Sequence, residues 1–232
     1  TVKICQDKFL SSERWTQKGF QTVKSILLRD DHLEDDIEKA FAELGPNLWI
    51  RATQGAGGTG STPANSKGIV LHWIKYWRSR GEKWTFIAQE NLTGRNVAFQ
   101  SLWNKGELVV SQARERVEYI YPYLAPSGVT GTPTVAKTIH DDNVNKMATE
   151  AVKAIDEDAT GIFCVDIKFD SKGNPMPTEI NVGRFFTTSY FFSYAGKVYN
   201  RWYANMPHLL LKLAYGEELD LSNVPKYNIL PK

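Results

Sequence analysis

Two carboxylates and an amide stand at spacings that suit a hard cation. In Gly161-Ile-Phe-Cys-Val-Asp-Ile-Lys-Phe169 and again in Met176-Pro-Thr-Glu-Ile-Asn-Val182, apolar and polar residues alternate around the turn-forming run Asp170-Ser-Lys-Gly-Asn174. Alternate residues of a strand share a face. Phe163, Val165, Ile167 and Phe169 therefore take one side and leave Asp166 on the other, while Ile180 and Val182 oppose Glu179 and Asn181. Oxygen donors on a hairpin, completed by water and phosphate, describe Mg²⁺ on a nucleotide better than Zn²⁺, which favours His and Cys. The histidines His32, His72, His140 and His208 are scattered without metal spacing. For an isolated E-x-N pair the alternative is a solvated hairpin face. Arg184, three residues beyond Asn181, either neutralises a transferring phosphoryl group or pairs with one of those carboxylates.

A second cluster is the glycine-rich run Gln54-Gly-Ala-Gly-Gly-Thr-Gly-Ser61, where Gly55, Gly57 and Gly58 let the backbone approach a ligand closely. Gly55, Gly57 and Gly60 satisfy G-x-G-x-x-G, but Pro63-Ala-Asn65 intervenes where a dinucleotide site opens a helix. Ser61 stands where a P-loop needs lysine. With Arg51 on the preceding strand, the run reads as a lid over phosphates, against the alternative of a plain flexible loop. No G-x-S-x-G elbow is present, so serine nucleophile chemistry has little support.

The elements that position these groups follow from local pattern. A short helix and turn occupy Ser11 to Gln21, and Thr22 to Leu28 has strand character. Asp30-Asp31 supplies N-cap oxygens to a helix over Leu33 to Leu44, ended by Gly45-Pro46. Leu48 to Thr53 is a strand, Ile69 to Trp77 one face of a helix, and Trp84 to Glu90 a further strand. Asn96 to Trp103 and Glu107 to Arg116 form a hairpin around Asn104-Lys105-Gly106. A Pro/Gly-rich loop from Tyr121 to Pro133 leads to a helix over Val144 to Ile155, and a Leu-rich helix from Trp202 to Tyr215 closes the chain. Trp73, Trp77 and Trp202 read as core, as do Phe185, Phe186, Phe191 and Phe192. Strands, helices and hairpins in this mixture, without repeats, are α+β.

The chain has 232 residues, 42% hydrophobic and 23% charged, enough for one large domain or two small lobes without a disulfide or structural metal. Twenty-eight basic against 26 acidic residues give +2, with no Lys/Arg run, so nucleic acid is not indicated. No apolar stretch approaches the ~20 residues of a membrane span. Cys5 and Cys164 sit far apart among apolar neighbours, which predicts free thiols and a reducing, cytoplasmic compartment.

Taken in order, the motifs are Asp7-Lys8, Trp49-Ile-Arg51 with the loop to Ser61, Gln89-Glu-Asn-Leu92, Ser127-Gly-Val-Thr-Gly131, Asp166, and Thr178-Glu-Ile-Asn181 with Arg184. In that order the chain resembles the ATP-grasp superfamily, closest in flavour to the nucleotide-binding domain of the carbamoyl-phosphate synthetase large chain and its carboxylate-amine ligase relatives. The likeness spans nearly all of the chain. It implies an ATP-grasp fold whose two α+β lobes clamp the nucleotide: residues 1–20 opening the large lobe, 21–88 a lid lobe with the glycine flap, and 89–232 the large lobe with the magnesium site.

By the same resemblance, Lys8 and Arg51 contact phosphates under the flap of Gly55, Gly57 and Gly58. Backbone groups near Gln89, Glu90 and Leu92 form the hinge that reads adenine. Asn96 stands where many relatives place an acidic ribose ligand. Asp166, Glu179 and Asn181 match the magnesium positions. Relatives read E-x-N-P-R, whereas here Val182-Gly183 displaces Arg184 by one residue. Arg114 and Arg116 stand in reserve for a substrate carboxylate or acyl phosphate.

The implied reaction moves the γ-phosphoryl group of ATP, with Mg²⁺, to a carboxylate, and an amine or thiol captures the acyl phosphate. Its partners are small-molecule carboxylates and amines. Relatives carry an N-terminal acceptor domain before the Asp-Lys motif, and Thr1 opens this chain without Met; the expectation is a nucleotide-binding portion whose acceptor domain is missing or lies on a separate subunit. Two alternatives stand beside this: a regulatory domain that binds ATP without chemistry, and a nicotinamide-dinucleotide binder using the glycine loop and Glu90.

Overall fold

The computed structural model describes residues 1–55, 57–129, 131–183 and 187–232. Its elements are α1 (Val2–Cys5), α2 (Lys8–Gln17), β1 (Ser25–Leu28), α3 (Leu33–Leu44), β2 (Leu48–Ala52), β3 (Thr62–Ala64), α4 (Lys67–Ser79), β4 (Phe86–Glu90), β5 (Asn96–Asn104), β6 (Glu107–Tyr119), β7 (Pro133–Ile139), α5 (Asp142–Ile155), β8 (Gly161–Phe169), β9 (Pro175–Val182), α6 (Thr187–Val198) and α7 (Met206–Ala214). The class is α+β, as expected. Two antiparallel sheets carry it, one in the order β1-β4-β2-β3 and the other β7-β6-β5-β8-β9.

In the four-stranded sheet, Leu48, Ile50 and Ala52 of β2 pack with Phe86 and Ala88 of β4 against Ile37 and Ala40 of α3 and Val70 and Ile74 of α4. Period-two alternation then sends Trp49 and Arg51 to the opposite face, paired across the ladder with Gln89 and Ile87. In the five-stranded sheet, one face meets α2 and α5 through Phe99, Phe163, Val165, Ile167 and Ile180 against Trp15, Val144, Ala148 and Val152. The other face is divided. Its Leu102, Val110 and Ile162 end is covered by Phe192 of α6 and Met206 and Leu209 of α7. The end carrying Arg116, Asp166 and Glu179 stays open.

Several local expectations needed correction. The loop expected from Tyr121 to Pro133 ends in edge strand β7, which begins at Pro133, runs to Ile139 through residues for which no element was expected, and pairs with β6. Helix α6 had no counterpart in the sequence reading. Asp30 and Asp31 do not cap α3: the cap position is His32, without a side-chain bond, and Asp30 pairs with Arg78 at 2.9 Å. Trp202 is 52% exposed instead of core. Phe185 and Phe186 lie outside the described residues. Cys5 and Cys164 are buried and free, and no helix among the described residues is long and apolar enough to cross a membrane.

The start of α3 is anchored by Asp36, 4% exposed, whose carboxylate accepts from the Arg29 backbone N–H at 2.9 Å and from its guanidinium at 2.9 and 2.6 Å. Hydrogen bonding to Arg29 outweighs burial and holds this carboxyl below its ordinary range. A depressed native pKa adds stability above the unfolded-state value, lost as pH falls through the native one. Asp36→Asn therefore costs about 1–2 kcal/mol near neutrality in urea unfolding, and the difference from the parent shrinks as pH falls through the acid range.

Candidate functional site

Between the open face of the five-stranded sheet and the Arg51 face of the four-stranded sheet lies a cavity of about 680 Å³. Rungs across β6, β5, β8 and β9 lay out its floor: Arg114 opposite Ala98, Ala98 opposite Asp166, Asp166 opposite Glu179, with Cys164 opposite Asn181 one step along. The small Ala98 leaves room above it for the arginine side chains of β6. A bulge adds Thr178 to β9, and the Thr178 hydroxyl donates to the Asp166 carbonyl at 3.0 Å. This extra residue reverses parity below Glu179, so Met176 pairs with Lys168.

Each carboxylate is held by cations from elsewhere in the chain. Arg51 pairs with Glu179 and also reaches the Thr178 carbonyl at 3.4 Å. Lys8 stands 3.9 Å from the same Glu179 oxygen and donates to the Gly55 carbonyl at 3.0 Å. Arg116 pairs with Asp166 and donates to Asn96 Oδ1 at 2.9 Å, while the Asn96 amide nitrogen donates to the Tyr119 hydroxyl. Asn181 donates to Glu179 Oε1 at 3.2 Å. Lys8 is set by α2: Asp7 caps the helix by accepting from Phe9 and Leu10 N–H, and the Lys8 N–H bonds the Thr53 carbonyl at the end of β2.

Burial pushes both carboxyls up, with opposite outcomes. At Glu179 the Arg51 and Lys8 charges overcome it and hold the group below the usual range. At Asp166 burial prevails over Arg116, and Glu179 adds to the rise. Burial lowers Lys8 and Lys168. It opposes the Arg116 charge too, but Asp166 more than compensates, raising this guanidinium.

The donor set fits a hard cation. Burial drives the Cys164 thiol up to about 12, so no thiolate competes beside Asp166. Among the described residues no three His, Cys, Asp or Glu side chains gather to hold a metal, so a cation here needs oxygens from a ligand as well. Arg51 Nε and Arg116 Nε are buried without a hydrogen-bond partner, an arrangement that an anionic ligand would satisfy.

The remaining residues singled out from sequence are distributed as follows. Gly57, Gly58, Gln89, Glu90, Leu92 and Asn96 line the cavity, and Gly55 contributes its carbonyl to Lys8. The Gln89 amide donates to Ser25 Oγ at 2.7 Å. Arg114 lies beneath the cavity wall, donating to Thr188 Oγ1 at 2.9 Å with its guanidinium over the Phe191 ring; burial, then Arg116, lowers it to about 10. Arg184 lies outside the described residues. Sequence reasoning missed Lys168 and Cys164, although the alternation that singled out Asp166 puts both on its face.

Two loops, one from each sheet, meet at the cavity wall. Gly58 abuts the Val129 carbonyl, and a methyl on Gly131 would stand 2.7 Å from Gly57 Cα. Gly131 also has φ +79°, where an L side chain is strained. Gly131→Ala therefore costs about 1 kcal/mol from backbone strain alone and separates the loops. Limited proteolysis should cut residues 54–61 faster in the variant, and unchanged cleavage would contradict the contact.

No protein-family model and no curated protein sequence matches the chain. Solved structures do. Carboxyaminoimidazole ribonucleotide synthase from Aspergillus clavatus, complexed with ATP, aligns with TM-score 0.66 and 17% identity over 82% of this chain and 47% of its own. D-alanine–D-alanine ligase from Bacillus anthracis gives 0.67 and 17% over 92% and 68%. The biotin carboxylase domain of Hydrogenobacter thermophilus 2-oxoglutarate carboxylase, with MgADP, ADP and bicarbonate, gives 0.74 and 15% over 98% and 48%. The chain thus spans about half the length of the first and third.

Proposed function

We propose that this chain, whose fold is the ATP-grasp fold, is the nucleotide-binding part of an ATP- and magnesium-dependent ligase that activates a carboxylate for capture by an amine or a thiol. One observation carries the reading: a cavity between two sheets sets Arg51 and Arg116 against Asp166 and Glu179, with Lys8 buried 3.9 Å from Glu179 and the Nε atoms of both arginines left unpartnered. A triphosphate satisfies the cations, and a divalent cation satisfies the carboxylates.

On this reading residues 21–88 form the lid lobe and residues 1–20 with 89–232 the larger one. Asp166, Glu179 and the Asn181 side-chain carbonyl would hold Mg²⁺, whose charge would offset that of the phosphates. Arg51 and Lys8 turn from Glu179 to the phosphates, and the Gly57–Gly58 loop covers them. The backbone of Gln89 to Leu92 holds the base, and Asn96 stands near the sugar. Arg116, with Arg114 packed beneath it and Arg184 following β9, orients the carboxylate substrate.

The carboxylate oxygen attacks the γ-phosphorus, the bond to the β-phosphate oxygen breaks, and ADP leaves. The amine or thiol then attacks the acyl carbon and expels phosphate. Closing the lid lobe over the cavity would exclude water that could hydrolyse the acyl phosphate. Two buried free thiols fit a reducing cytoplasmic setting.

Mg-ATP should raise the melting temperature of the chain by several degrees, and NAD should not. Asp166→Asn and Glu179→Gln should each abolish the magnesium-dependent part of that rise while keeping the parent's circular dichroism. Equal magnesium-dependent stabilisation in both variants and the parent would remove the metal assignment. ADP release with a carboxylate and an amine separates a ligase from a domain that only binds nucleotide.

A further inference from the structure

Lys168 lies two residues beyond Asp166 on the same face of β8, so their Cα atoms are about 7 Å apart along the strand. Across the sheet it is flanked by Asn96, the first residue of β5, and by Met176 on β9. It therefore stands at the end of the cavity where the segment Glu90 to Thr93 leads into β5. Unlike Lys8, Arg51 and Arg116, which face Glu179 or Asp166, its ammonium makes no hydrogen bond or ion pair among the described residues.

The surroundings specify what that ammonium can meet. Val23, Leu92 and Met176 are buried together, and Val23 and Leu92 contribute to the wall, an apolar surface suited to a flat ring. Both ends of the Asn96 amide are committed, its oxygen to Arg116 and its nitrogen to Tyr119. A ligand whose phosphates reach Arg51 puts its nucleoside half beside Lys168. An ammonium has three donors and no acceptor, so its partner is an acceptor atom.

We propose that Lys168 is a specificity residue for the nucleoside half of the ligand, donating an N–H to an acceptor there, a purine ring nitrogen or a ribose oxygen. The inference rests on the nucleotide reading above and extends it to a residue at the Glu90–Thr93 end of the cavity. The preferred nucleotide is then one that offers an acceptor toward β8.

The test measures Mg-nucleotide binding by calorimetry to the parent chain, to Lys168→Met, which keeps a long unbranched side chain, and to Lys168→Arg, which keeps the charge. The ligands are ATP, its 1-, 3- and 7-deaza analogues, and 2′-deoxy- and 3′-deoxy-ATP. Lys168→Met should weaken ATP about tenfold, as loss of one hydrogen bond to an ionised group does. Lys168→Arg should recover part of that loss. One analogue should bind the parent about tenfold more weakly than ATP does and show no further loss in Lys168→Met; it identifies the acceptor and tells a ring nitrogen from a sugar oxygen. Unchanged ATP binding in Lys168→Met overturns the proposal, as does an equal loss for ATP and every analogue, the pattern of a phosphate contact. If the folded parent binds no Mg-ATP, the nucleotide reading itself fails and the inference with it.

Discussion

Two carboxylates side by side on a sheet, each less than a quarter exposed, cannot stay ionised unless positive charge is brought to them. That requirement organises the molecule. Glu179 draws Arg51 from the four-stranded sheet and Lys8 from the start of α2, so two distant chain segments converge on one side chain. Asp166 draws Arg116 from two strands away, across the small Ala98. The Arg51–Glu179 pair joins the two sheets across the cavity, and, on the reading proposed, the ion pairs hold the cations where phosphates belong. The same charges serve two states, paired with each other or paired through a ligand, and exchange between them keeps every buried charge compensated.

Backbone geometry does the rest of the positioning. Gly57 and Gly58 meet Gly131 and Val129 through atoms that tolerate no side chain between them, so the wall there is made by main chain. The Thr178 bulge sets Met176 and Lys168 side by side on the cavity face while Glu179 stays opposite Asp166. An unbulged ladder would have put Pro177 there instead. The half of the sheet face that lacks charges is sealed by α6 and α7, confining the polar opening to one end.

What could be read in advance was what local alternation controls. The positions of Asp166, Glu179 and Asn181 relative to the apolar face follow from period two within single strands, and the hairpin at Lys105-Gly106, both at positive φ, from turn chemistry. Strand β7 escaped because it is an edge strand with mostly exposed or half-exposed residues, which erases the apolar signal. Helix α6 escaped because Thr, Ser and aromatic residues are middling helix formers, and packing of Phe192 stabilises it. The bulge, the Gly57–Gly131 approach and the partners of Arg51 depend on segments far apart in sequence. Lys168 was legible by the alternation that marked Asp166.

The central claim is that cations and carboxylates hold one another until a divalent ion and a polyphosphate arrive together. Calorimetric titration of the unmodified chain with ATP at constant ionic strength, once with magnesium and once with EDTA, tests it directly. Metal-free ATP must displace the carboxylates and leave them buried and uncompensated, so its affinity should be lower by about a hundredfold or more, the equivalent of about 3 kcal/mol. Equal affinity in EDTA would contradict the account.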